Sequence, residues 1–185
     1  MIRDVGLMNR ALCLSLCLSA FACGDPEPLE PTYENVAAVL ERSCGASSMS
    51  CHGGVRGNAN LNLGTAMATG QPYTEILVGV ESCEYSLMPL VDPGNPDNSW
   101  LMVKIDGAHD ENGRLLFEPD PAWDPGIEPR PDGTYPPSTC PLVEDGELSF
   151  GYLMPQNVGA PDPLPENELD MIYEWILIGA PGPGE

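Results

Sequence analysis

The chain has 185 residues, with 28 acidic and 7 basic side chains, a formal net charge of −21 and seven cysteines. This length suggests one domain once a targeting segment and linkers are set aside. The negative charge repels nucleic-acid phosphates and anionic lipid headgroups, which excludes a nucleic-acid-binding protein. It suits a self-repelling, soluble surface or one that steers a basic partner protein.

Residues 1–22 are predicted to be a signal peptide, with positive charge from Arg3 and Arg10 before a short apolar run. The run lacks the roughly 20 apolar residues of a membrane-spanning helix. Cys23 follows directly, so the segment also resembles a bacterial lipoprotein signal whose cysteine becomes lipid-modified. We therefore expect a lipid anchor at Cys23 on the periplasmic side or cell surface, with the outer membrane favoured. Ordinary cleavage that leaves Cys23 free is the alternative.

The first predicted element is an acidic, Pro-rich linker at 23–31, which suits an extended spacer. Thr32 can cap a helix from Tyr33 to about Ser43, whose apolar residues recur at helical spacing. Cys44-Gly45 ends this helix. A loop of small residues follows and leads to Cys51-His52, so the first helix delivers one cysteine to the start of a loop and the loop ends at another.

Further along the chain, residues 61–63 are predicted to lie in a loop, and short helices are predicted at 72–80 and 100–105. Residues 106–150 form the least regular region because they are dense in Pro, Gly and acids. The final helix begins near Pro165 and stops at Gly179. Its inward face is predicted to consist of Leu169, Ile172, Tyr173 and Ile176. The fold class is therefore mostly α, with few strands and long loops.

The pair Cys51-His52 is the clearest chemical signal. A cysteine followed by histidine can hold haem twice, through a thioether from sulfur and through axial ligation by imidazole. The usual attachment motif is C-x-x-C-H, whereas here the first thiol would be Cys44, which gives C-x6-C-H. The haem vinyl groups have fixed positions, so the six intervening residues must loop out. Most of these residues are small enough to do so.

The order of features resembles the cytochrome c domains of exported bacterial proteins. It comprises a helix ending in Cys44, SCHGG (50–54), LNL (61–63), DPGNPDNSWLMVKI (92–105), LMP (153–155) and a last helix ending WILIGA (175–180). The resemblance covers 32–180, with 106–150 as an insertion before the distal Met loop and 181–185 as a tail. It implies a cytochrome c-like fold whose first and last helices cross.

The resemblance also implies a function and a ligand set. Haem c would be attached covalently through Cys44 and Cys51, with His52 as the proximal and Met154 as the distal iron ligand. The protein would then be an electron carrier that serves redox partner proteins, with no enzymatic machinery. Met154 could instead fill a gap in the core. The competing distal ligands are Met88, which also precedes a proline, and His109, which would make a bis-histidine site.

The remaining cysteines allow more than one arrangement. A disulfide between Cys83 and Cys140 would close the irregular region and use every remaining thiol. Cys44 and Cys51 could equally form a short disulfide, leaving a haemless, disulfide-stabilised envelope lipoprotein with a binding or structural role. A zinc site made by Cys44, Cys51, His52 and a fourth ligand is a third option, but it lacks a second ligand pair at regular spacing. With two histidines in the chain, no hydrolase set can be assembled.

Overall fold

The computed structural model describes residues 27–45, 51–53, 58–85, 87–118, 142–144, 147–157 and 160–185. The predicted signal peptide at 1–22, the lipidation site Cys23, the start of the 23–31 linker and Cys140 lie outside these residues. Within this part of the chain, no helix is long or apolar enough to cross a membrane.

Helices make up most of the regular structure among the described residues. They are α1 (Tyr33–Ser43), α2 (Leu63–Thr69), α3 (Thr74–Leu77), α4 (Trp100–Asp106) and α5 (Glu166–Leu177). Two small antiparallel sheets accompany them. Strand β1 (Leu142–Glu144) pairs with β2 (Glu147–Ser149), and β3 (Gln156–Asn157) pairs with β4 (Ala160–Pro161). The predicted mostly-α class is confirmed at this coarse level.

Helix α1 forms where its caps and periodicity predict. The Thr32 side-chain oxygen accepts a hydrogen bond from the Asn35 amide at 3.3 Å, which satisfies one of the unpaired donors at the helix start. Its buried residues are Val36, Ala37, Val39 and Leu40. The Cys44 amide donates to the Leu40 carbonyl and closes the last turn. Cys44 therefore sits at the point where α1 ends.

Helix α5 packs against α1 and α4 across the main core. Its buried residues are Met171, Ile172, Trp175 and Ile176. Two residues of the predicted face, Leu169 and Tyr173, are only partly buried, so the prediction placed the buried stripe slightly to one side. Met171 and Trp175 are four residues apart, as are Ile172 and Ile176, so all four side chains lie on the same face of the helix and point into the core.

Helix α2 corrects the predicted loop at 61–63, because Leu63 begins a helix that continues to Thr69. The Asn62 side chain accepts a hydrogen bond from the Thr65 amide at 2.8 Å, and Gly70 ends the helix with a φ of 72°. These capping signals were present in the sequence, and Leu63, Ala66 and Met67 recur at helical spacing between them. The helix predicted at 72–80 is shorter in the structure, because Val78 leaves the helical conformation and bridges to Val91.

The region predicted to be an insertion at 106–150 contributes to the core at both of its ends. Leu115 and Phe150 are buried with Tyr85, Trp100 and Leu153 in a second apolar cluster. The aromatic rings of this cluster, including Phe117, pack with centroids 5.0–6.2 Å apart. The β1–β2 hairpin also falls inside this region. The ends of the predicted insertion are therefore structural parts of the domain.

Candidate functional site

One cleft brings together the four residues predicted to hold haem. Cys44, Cys51, His52 and Met154 all line it, although Met154 comes from a segment far along the chain from the other three. Most of the remaining lining is apolar and comprises Leu40, Ala59, Leu61, Leu63, Leu77, Leu90, Trp100, Leu101, Ile105 and Pro155. All four residues thus border a mainly apolar space.

The His52 imidazole is held in one tautomer by backbone carbonyls. Its Nδ1 atom lies 3.1 Å from the Asn58 oxygen and 3.3 Å from the Leu61 oxygen. Carbonyl oxygens only accept hydrogen bonds, so we assign the ring proton to Nδ1. The other ring nitrogen, Nε2, then keeps its lone pair, and no described residue forms a hydrogen bond with it. This is the form in which imidazole binds a metal ion.

Burial lowers the pKa of His52, although the carbonyl bonds and the Glu84 carboxylate act in the opposite direction. The pKa of an ordinary histidine is already 6.5, so the His52 ring is neutral at pH 7. In a neutral ring, Nε2 can donate its lone pair to a metal without first losing a proton. The local environment therefore favours the ligating form of the side chain.

The turn that carries His52 rests on the start of α2. The His52 carbonyl accepts hydrogen bonds from the amides of Leu63 at 2.9 Å and Gly64 at 3.2 Å. The backbone of Gly53 also approaches Gly64 so closely that a Cβ at position 64 would lie 2.3 Å from the Gly53 oxygen. Only glycine leaves room for this approach. Helix α2, which sequence reasoning missed, is therefore the support of the predicted ligand.

We expect the substitution Gly64→Ala to lower the free energy of unfolding by about 1–3 kcal/mol, because the new methyl group would overlap the Gly53 carbonyl. A helical Gly→Ala change without such an obstacle would instead stabilise by about 0.5–1 kcal/mol. Urea unfolding of the full chain measures the difference. Met67→Ala in the same helix, at a side chain that is 45% exposed, is the control and should change little. A stabilised Gly64→Ala protein would contradict the close contact.

The two cysteines of the predicted motif are free thiols. The structure therefore lacks the short Cys44–Cys51 disulfide that was the alternative prediction. Burial, together with the nearby Cys51 thiol, raises the pKa of Cys44 to about 11, so this thiol is protonated at neutral pH. Cys51 is exposed and has a φ of 52°, a conformation that is uncommon outside glycine. Its carbonyl accepts a hydrogen bond from the Asn58 amide, which helps to hold the turn.

The structure places Met154 at the cleft and its two competitors elsewhere. Met88 packs against the aromatic cluster, and His109 is exposed with its Nδ1 atom 3.0 Å from the Gly107 oxygen. Neither residue lines the cleft. Among the described side chains, Met154 is thus the candidate that shares a cleft with His52.

The other sulfur predictions have mixed outcomes. Cys83 is disulfide-bonded, and its partner lies outside the described residues. Because Cys140 is also outside them, the pairing of these two cysteines stays a prediction. In the part of the chain that the structure describes, no group of three or more His, Cys, Asp or Glu residues could hold a metal ion.

Sequence reasoning missed a charged pair in the cleft wall. The Lys104 ammonium lies 3.2 Å from the Glu84 carboxylate, and both side chains are only 11% exposed. The Trp100 indole N–H donates to the same carboxylate at 2.9 Å. The available signal was Lys104 itself, a single charge within the apolar part of helix α4. Its partner lies 20 positions earlier and could not be identified from spacing.

The chain matches no protein-family model, and no curated protein or solved structure is significantly similar to it.

Proposed function

We propose that this protein is an exported, mono-haem c-type cytochrome-like domain that transfers electrons. The observation that carries the proposal is the convergence of two free thiols, a neutral imidazole and a thioether on one mainly apolar cleft. This donor set matches the needs of haem c, which takes thioether bonds from cysteine and axial bonds from histidine and methionine. The contact between the first and last helices, α1 and α5, agrees with a cytochrome c-like fold.

Each residue has a distinct task under this proposal. Cys44 and Cys51 would hold the porphyrin covalently, and His52 through Nε2 and Met154 through its sulfur would be the iron ligands. Haem bound in this way supplies an iron that exchanges one electron between its ferrous and ferric states. Methionine–histidine ligation raises the reduction potential and leaves no axial position open, which favours electron transfer over oxygen or peroxide chemistry.

The surroundings of the domain follow from its charge and its amino-terminal segment. The net charge of −21 would attract basic redox partner proteins through long-range steering. A lipid on Cys23 would hold the domain at the periplasmic side or cell surface, with the outer membrane as the favoured location. The linker at 23–31 would then separate the lipid from the domain, so the membrane would be contacted only through the anchor.

The test is mass spectrometry of the full chain expressed together with cytochrome c maturation factors. We expect a red protein with a Soret band, haem that resists acidic organic extraction, and a haem adduct on the peptide that contains Cys44, Cys51 and His52. The double variant Cys44→Ser/Cys51→Ser is the matched control and should carry no covalent haem. A colourless protein whose peptide has lost two hydrogens through a Cys44–Cys51 disulfide would refute the proposal and support the haemless lipoprotein.

A further inference from the structure

Lys104 contacts the loop that carries Met154 at both of its ends. Its Nζ atom donates a hydrogen bond to the Phe150 carbonyl at 2.7 Å, where the loop begins. Its own backbone carbonyl accepts a hydrogen bond from the Met154 amide at 2.6 Å, where the loop reaches the cleft. One residue of helix α4 therefore spans the loop from Phe150 to Met154.

The Lys104 side chain is itself held in place. Its ammonium lies 3.2 Å from Glu84 Oε1, and the second oxygen of Glu84 accepts a hydrogen bond from Trp100 Nε1. The ion pair is mostly buried, which strengthens its charge-assisted hydrogen bonds relative to those of an exposed pair. Gly151 lies beside this pair with a φ of 72°, a conformation that favours glycine. Glu84, which is itself held by Trp100 of helix α4, thus keeps the ammonium in position next to the loop.

The other side of the loop has separate backbone attachments. The Leu115 amide donates to the Gly151 carbonyl at 3.0 Å, and the Leu153 amide donates to the Gly113 carbonyl at 2.7 Å. These bonds keep the loop on the domain without any contribution from the Lys104 ammonium. Removal of the ammonium should therefore release the side of the loop that faces the cleft while the loop stays attached.

We infer that Lys104 is a positioning residue that holds the Phe150–Met154 loop against helix α4 and thereby presents the Met154 thioether to the cleft. The idea that the Met154 thioether binds iron rests on the proposed function. The idea that Lys104 holds the loop does not. Glu84 acts indirectly, because it holds the Lys104 ammonium, which in turn contacts the loop.

The test uses the full chain with two variants that remove the contact to Phe150. Lys104→Gln keeps a donor for Glu84 but has a shorter side chain. Glu84→Gln/Lys104→Met removes both charges, which avoids an unpaired buried carboxylate and leaves an acceptor for Trp100. Both variants keep the bond from the Met154 amide to the Lys104 backbone carbonyl and lose only the bond from the ammonium to Phe150. In the haem-free protein we therefore expect the loop to open more often, so that the Met154 amide exchanges its hydrogen about 10- to 100-fold faster, the range for loss of one charge-assisted hydrogen bond. Lys104→Arg, which keeps a long cationic donor, should restore most of the protection.

Exchange of the Ile176 amide in α5 reports whether the core remains folded and should not change. If the Ile176 amide of the double variant also exchanges faster, that variant is partly unfolded, and the Met154 exchange rate of Lys104→Gln alone tests the inference. Wild-type protection of Met154 in a folded variant would overturn the inference. In haem-loaded protein, the same variants should lose the long-wavelength charge-transfer band of methionine-ligated ferric haem. Absence of haem from the wild-type protein would refute the proposed function and leave the exchange result to decide the role of Lys104.

Discussion

Under the proposed function, replacement of His52 by glutamine is expected to convert the ferric iron of the haem-loaded protein completely from low spin to high spin. Among the described residues, His52 supplies the imidazole that lines the cleft, and its Nε2 atom is not engaged by a hydrogen bond. The pigment should remain attached, because Cys44 and Cys51 are unchanged. Absorption and electron paramagnetic resonance spectra of the purified protein measure the spin state.

Two controls separate loss of the ligand from general damage to the cleft. His109→Gln removes the other histidine of the chain, which is exposed and away from the cleft, and should leave the spectrum unchanged. Added imidazole should restore the low-spin spectrum of the His52→Gln protein, because a free ligand can take the vacated axial position. A low-spin spectrum in that variant without added imidazole would show that another side chain holds the iron.

Replacement of Trp175 by alanine is expected to lower the free energy of unfolding by about 3–5 kcal/mol, the usual range for a buried tryptophan. Trp175 is 1% exposed within the core that α5 shares with α1, and its indole N–H donates to the Pro181 carbonyl at 3.0 Å. Loss of this side chain leaves a cavity and an unpaired carbonyl. The effect is a large share of the roughly 5–15 kcal/mol that stabilises a typical domain.

Urea unfolding of the haem-free protein provides the measurement, since bound haem would add its own stabilisation. Leu177→Ala is the matched control, because Leu177 belongs to the same helix but is 46% exposed. It should change the free energy of unfolding by less than about 1 kcal/mol. Equal losses in the two variants would contradict the assignment of Trp175 to the core.

The elements that local signals specify were the ones predicted best. Helix α1 has its Thr32 cap and a regular apolar spacing, and α5 has a clear start at Pro165 and a clear stop at Gly179. Helix α2 was missed because its caps and apolar spacing extend over only seven residues, about two turns, which is too short to be stable by itself. Its stability comes from tertiary contacts at Leu63 and Ala66, which are buried in the core.

The candidate site was also predicted only in part. Cys44, Cys51, His52 and Met154 were predicted as a set from their chemistry and order, and the structure places all four at one cleft. Sequence reasoning left Met88 and His109 as alternatives to Met154, because residue type alone does not say which side chain reaches the cleft. The ion pair of Glu84 with Lys104 was not predicted at all.

By itself, the sequence determined the acidic charge, the donor chemistry of the Cys-His pair and the helices with strong caps, because these depend on composition or on neighbours within a few residues. Tertiary structure alone decided which methionine faces the cleft, which nitrogen of His52 is free and how Lys104 meets Phe150. These features arise where segments distant in the chain pack together. Their positions depend on the whole core, which no local pattern encodes.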